Sequence, residues 1–119
     1  MPRPPQITIY TSALKRLVKE EASYRKEHKS QLERIAKLEA SQGDDENAEY
    51  ILRQERKALE ETEAIFPQLK LKITEAKETV EAELAKPAQN RGDQSMTPED
   101  VTNAKEAIAA ALVVIGESS

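Results

Sequence analysis

Apolar residues recur at steps of three and four along most of this chain. The first run is Leu14, Leu17, Glu21, Tyr24, His28, Gln31, Ile35 and Leu38, flanked by Val18, Ala22 and Leu32. Such spacing puts these positions on one helical face, apolar at both ends and polar in the centre. Thr11 or Ser12 offers an N-cap ahead of it, and Gly43 a C-terminal cap. A second run opens after Asp44 or Asp45 with Ala48, Ile51, Glu55, Ala58/Leu59, Thr62, Ile65/Phe66, Leu69, Ile73, Ala76, Val80 and Leu84. So short a connection returns the second helix antiparallel to the first. The third start is "TPED", where Thr97 caps, Pro98 takes the first helical position, and Glu99 and Asp100 complement the positive helix end. Its stripe is Val101, Ala104, Ile108, Leu112 and Ile115, widened by Ala107, Ala111 and Val114, with Gly116 as the stop.

Pro67 interrupts the second run in "EAIFPQLKLK". Inside a helix a proline loses one backbone hydrogen bond and crowds the carbonyl four residues back, at a cost of about 3 kcal/mol. The three-four stepping nevertheless passes Pro67 without losing phase. A fresh helix starting there would need a cap at position 66, and Phe66 cannot cap. The pattern therefore predicts one kinked but continuous helix, with Pro67 on its outer side.

The rest of the chain is less regular. "PRPP" reads as disordered or polyproline-like. "QITIY" alternates polar and apolar and is expected to be extended, so residues 1–10 form an N-terminal segment ahead of the first helix. "KPAQNRGDQSMT", 86–97, reads as a flexible linker. The expected fold is all-α: an elongated three-helix bundle with coiled-coil-like packing, long-long-short, forming a single domain over 1–119. Leu14, Leu17, Tyr24, Ile35, Leu38, Ile51, Phe66, Pro67, Leu69, Ile73, Ile108 and Leu112 are its candidate structural residues, with Tyr24 and Phe66 as core anchors.

Composition supports helical seams over a broad globular core. Aromatics make up only 3% of the chain, with Phe66 the sole Phe and no Trp, and three glycines leave little material for hairpins. With no cysteine, disulfides and cysteine-based chemistry are excluded, which fits a cytosolic chain. "MPRPPQ" lacks the apolar stretch of a secretory signal, and "AIAAALVVIG" is about half the ~20 residues a bilayer span needs. A soluble chain with no membrane role is expected. Net charge is −4 but unevenly spread: 12–41 hold eight Lys/Arg against five Glu, whereas 42–86 hold seven against twelve acidic residues. That layout suits helices that pair with each other, and it can leave one basic face for an acidic partner.

Catalysis needs a positioned nucleophile, an acid–base pair or a metal. His28 is the only histidine and lies on the inner stripe, where a structural role is the expectation. None of the HExxH, P-loop, dinucleotide-binding or EF-hand patterns occurs. "DDEN", 44–47, lacks the ligand alternation of a calcium loop and reads better as a helix start. No enzyme activity and no cofactor are expected. The basic residues of helix 1 are mixed with Glu20, Glu21, Glu27, Glu33 and Glu39, so the single-sign field and stacking platform for nucleic acid are missing. A protein-binding helical chain is what remains.

Specific strings narrow this further. "TSALKRLVKEEASYRKE" (11–27), "SQLERIAKLEA" (30–40), the acidic turn "QGDDENAEYILRQE" and "ALEETEAIFPQLKLKITEA" (58–76) follow one another in order. Together they resemble the tubulin-binding cofactor A (tubulin-specific chaperone A) family, over about residues 6–84. That family also carries an apolar pair followed by proline in its second helix, and "QITIY" matches its segment before helix 1. Two features depart from it: the linker looks longer, and the Ala-rich third helix has little identity. The resemblance implies a cytoplasmic, cytoskeleton-associated chaperone that captures β-tubulin released from the cytosolic chaperonin and passes it on for assembly with α-tubulin. It also implies a three-helix bundle that binds through helical surfaces, as monomer or homodimer. The candidate partner-binding residues are Lys15, Arg16, Lys19, Glu20, Lys26 and Lys29, whose cations suit an acidic partner. The competing expectation is a structural coiled-coil adaptor, or a self-associating helical rod, with no tubulin role.

Overall fold

The computed structural model describes residues 5–41, 46–86 and 96–117. They form three helices in chain order: α1 (Gln6–Ser41), α2 (Glu46–Ala85) and α3 (Pro98–Glu117). Their lengths of 36, 40 and 20 residues give the expected long-long-short order. Helix α2 runs through Pro67 without interruption, and Pro67 is exposed. The seam keeps its phase on both sides of it: Thr62, Leu69, Ile73 and Val80 are all buried.

The described residues pack in two compact units, 1–19 with 69–119, and 20–68. The first unit has three layers, one from each helix. Its core is Ile7 and Leu14 of α1, Ile73 and Val80 of α2, and Ala104, Ala107, Ala111 and Val114 of α3. Tyr10, Leu17, Val18, Ala76, Leu84, Met96, Ile108 and Ile115 pack around it. The α3 seam is made of small side chains, which let its backbone lie close to its neighbours. Its start is built as the sequence predicts, as a reciprocal cap. The amide of Asp100 donates to Thr97 Oγ1 and the amide of Thr97 to Asp100 Oδ2, both at 3.0 Å.

The second unit is an antiparallel helix pair. Contacts late in α1 meet an earlier part of α2: His28 meets Glu63 at 3.0 Å, whereas Arg34 meets Glu55 at 3.3 Å and Glu39 meets Arg56 at 2.9 Å. Its seam is polar. The described residues buried there are Glu21, Gln31, Thr62 and Ile35. Arg25 Nε donates to Glu21 Oε2 at 2.6 Å, and Thr62 Oγ1 donates to the Ala58 carbonyl at 3.0 Å. Phe66 lies between two α1 side chains, with the His28 ring edge-on at 5.7 Å and the Arg25 guanidinium 4.4 Å from its centroid.

Several expectations are corrected. Residues 6–10 are helical, whereas "QITIY" had read as extended. Proline tolerates the entry to a helix, and here the Pro5 carbonyl accepts from the amides of Thr8 at 2.9 Å and Ile9 at 3.3 Å. Ile7, Tyr10 and Leu14 then continue the three-four stripe, which buries Ile7 and leaves Ile9 exposed. Thr11 and Ser12 accordingly lie inside α1 and do not cap it. Tyr24 is 36% exposed, and the α1 side chains that contact Phe66 are Arg25 and His28. Ile51 is 45% exposed, since the seam passes through half-buried Leu52, in step with Ala48, Glu55 and Leu59. Leu112 is 52% exposed, because the α3 seam runs along Ala104, Ala107, Ala111 and Val114. Gly116 lies within the last turn of α3 and does not stop it.

Of the other structural candidates, Leu14, Ile35, Leu69 and Ile73 are buried, and Leu17, Leu38, Phe66 and Ile108 are half-buried. The caps at Gly43, Asp44 and Asp45 and most of the 86–97 linker lie outside the described residues.

Candidate functional site

The candidate partner-binding residues all project from α1. Lys15, Arg16 and Lys19 belong to the first unit, Glu20, Lys26 and Lys29 to the second, and every one of them is exposed. Helical spacing puts Lys15 and Lys19 (i, i+4) on one face, and likewise Lys26 and Lys29 (i, i+3). None of the six forms an ion pair with another described residue. Other cations are engaged within the fold. Arg34 bridges Glu55 and Glu27, and the hydrogen bond it donates to Glu55 raises its pKa above the usual guanidinium range. Lys86 is held by Glu83 at 2.9 Å, a hydrogen bond that likewise raises its pKa.

One concave feature lies in the first unit, a half-open cleft of about 80 Å³ lined by Thr8, Thr11, Ser12 and Lys15 of α1 with Asp100 and Asn103 of α3. Thr8 Oγ1 donates to Asp100 Oδ1 at 3.5 Å across it. The sequence does contain this cluster, at the helical spacing i, i+3, i+4 and i+7, but an extended reading of residues 6–10 separates Thr8 from the rest. Among the described residues, no group of three or more His, Asp or Glu is arranged to hold a metal ion. No helix of the described residues is long and apolar enough to cross a membrane.

The described helices present exposed, charged faces, and comparison with known proteins places the chain in a family. The profile of the family "Tubulin binding cofactor A" matches residues 2–108. The chain belongs to the tubulin binding cofactor A family. Among its relatives is a tubulin-specific chaperone A of Saccharomyces cerevisiae, 37% identical over 103 residues, covering 87% of this chain and 93% of the yeast protein. The tubulin-specific chaperone A of Rattus norvegicus is 35% identical over 86 residues, covering 69% of this chain and 76% of the rat protein. A solved structure of RBL2P, a beta-tubulin binding post-chaperonin cofactor, superposes with a TM-score of 0.76 at 32% identity. That match covers 93% of this chain and 98% of the other. The matched family segment extends into α3, as far as Ile108.

Proposed function

We propose that this member of the tubulin binding cofactor A family is a non-catalytic, cytoplasmic tubulin-folding cofactor. It captures β-tubulin released from the cytosolic chaperonin, keeps it from associating, and passes it on for assembly with α-tubulin. The observation that carries this reading is the match to a beta-tubulin binding cofactor along 93% of the chain, in sequence and in fold together. The physics is consistent with it. A lone subunit exposes surface that its partner normally covers, and such surface tends to associate. A protein of long, charged helical faces covers it reversibly, without chemistry.

In this mechanism Lys15, Arg16, Lys19, Lys26 and Lys29 attract an acidic partner, and Glu20 takes part beside them. Each cation is exposed and free of internal ion pairs, so binding need not first break a contact of the fold. Attraction of this kind acts mostly on the association rate and fades as salt shortens the screening length to about 8 Å at physiological ionic strength. The deciding experiment is size-exclusion co-elution with purified β-tubulin, set against an αβ-tubulin heterodimer locked by a covalent cross-link. Capture of the free subunit alone supports the reading.

A second reading is favoured by one observation. Leu112 and Val113 on α3 are 52% and 58% exposed, an apolar face suited to self-association. Light scattering on the isolated protein separates monomer from homodimer.

A further inference from the structure

We infer that the α1–α3 cleft is an anchor point for a carboxylate side chain of the captured protein. The inference rests on the tubulin-capture reading only for the identity of that partner.

The cleft holds more idle donors than idle acceptors. Asp100 is already engaged: Oδ2 accepts the Thr97 amide at 3.0 Å and Oδ1 accepts the Thr8 hydroxyl at 3.5 Å. Its charge also lies at the positive N-terminal end of a 20-residue helix, which offsets it. Lys15, Ser12 and the Asn103 amide, by contrast, have no partner among the described residues. These are ammonium, hydroxyl and amide donors gathered around one opening. A ligand that complements them is an acceptor, and an anionic one meets Lys15 as well.

Thr11 is a second, independent sign. It is 5% exposed, and its hydroxyl oxygen is buried with no hydrogen-bond partner. The mid-helix threonines Thr62, Thr74, Thr79 and Thr102 all donate to the carbonyl four residues back, at 2.8 to 3.0 Å. Thr11 does not use that outlet. A threonine in a helix divides between two χ1 rotamers, and a turn between staggered wells exchanges its methyl and hydroxyl. An acceptor seated in the cleft gives that hydroxyl the partner it lacks.

A carboxylate fits better than a larger anion. The cleft's volume of about 80 Å³ takes a side-chain terminus, and the donors come from two helices on either side of it. Lys15 thereby differs from Lys26 and Lys29, which are exposed cations that do not line this cleft.

The test has two arms. In the first, the Asn103 side-chain amide of the full chain is followed by NMR while an acetyl-capped triglutamate peptide is added. A saturable shift is expected, absent in Lys15→Met and Thr11→Val and kept in Lys29→Met. No shift, or a shift with inorganic phosphate but not with the peptide, overturns the carboxylate assignment. In the second arm, β-tubulin capture is measured for the same variants. Lys15→Met is expected to weaken it about tenfold or more, as for loss of a charge-assisted hydrogen bond. Lys29→Met should weaken it less than about fivefold, as for an exposed ion pair. Equal losses, or a peptide response without loss of capture in Lys15→Met, overturn the anchor. If the unaltered chain captures no β-tubulin, the functional reading fails, and the peptide arm still decides whether the cleft takes a carboxylate.

Discussion

Replacing Thr11 with valine should make this protein more stable. The two side chains have nearly the same shape, so the exchange trades a hydroxyl for a methyl without opening a cavity. Thr11 is 5% exposed and its oxygen has no hydrogen-bond partner. A buried donor or acceptor left unpaired costs about 1–3 kcal/mol, and that cost disappears with the hydroxyl. Thr62→Val is the control. Thr62 is equally buried, at 6%, but donates to the Ala58 carbonyl at 3.0 Å. Removing that bond should be neutral or cost up to about 1 kcal/mol. The assay is urea unfolding followed by helical circular dichroism. With a slope of about 1–3 kcal/mol per molar urea, Thr11→Val should raise the midpoint by about 1 M at unchanged slope. An unchanged or lower midpoint refutes the reasoning, because it means the hydroxyl is satisfied in the folded protein.

Three further outcomes are expected. Pro67→Ala restores the missing amide at an exposed position of α2 and should raise stability by up to about 3 kcal/mol, read by thermal unfolding. Reduced β-tubulin capture in the same variant would assign the proline to binding, whereas lost stability with intact capture would assign it to packing alone. On α3, Ala111→Leu forces bulk into the fully buried seam and should cost about 1–3 kcal/mol, whereas Leu112→Gln at a 52% exposed position should stay within about 0.5 kcal/mol. The reverse order in chemical denaturation would return Leu112 to the core. Finally, Arg16→Glu with Lys19→Glu should slow β-tubulin association at low salt with helicity unchanged, and equal association rates would remove these two residues from the contact surface.

Period and punctuation in the sequence account for most of the architecture. The seam through Leu14, Ile35, Leu69, Ile73 and Val80 follows from three-four spacing alone. So does the continuity of α2 across Pro67, because a broken helix would have had to restart its phase. The α3 cap was equally legible, since Thr97, Pro98 and Asp100 act locally. Three features were not legible, each because a neighbour decides it. "QITIY" fits both periods over five residues, and packing of Ile7 against the α2 and α3 core selects the helix. Leu112 and Ala111 compete for one seam, and hydrophobicity alone favours the leucine. The close approach that alanines permit depends on the facing helices. The pairing of Phe66 with Arg25 and His28 depends on which α1 side chains stand opposite it, which spacing alone does not set.

The candidate site divides in the same way. Exposure of Lys15, Arg16, Lys19, Glu20, Lys26 and Lys29 was predictable from their place off the apolar stripe. Their freedom from ion pairs depends on where the acidic residues of α2 fall, which spacing on α1 alone does not set. The α1–α3 cleft was hidden for a single reason. With residues 6–10 read as extended, Thr8, Thr11, Ser12 and Lys15 do not share a helix face, and nothing brings Asp100 and Asn103 to them.

Selective capture of the lone subunit is the property on which the functional account stands. The purified chain should form a stable complex with free β-tubulin on size exclusion and none with a covalently locked αβ heterodimer. Equal elution with both, or with neither, would contradict it.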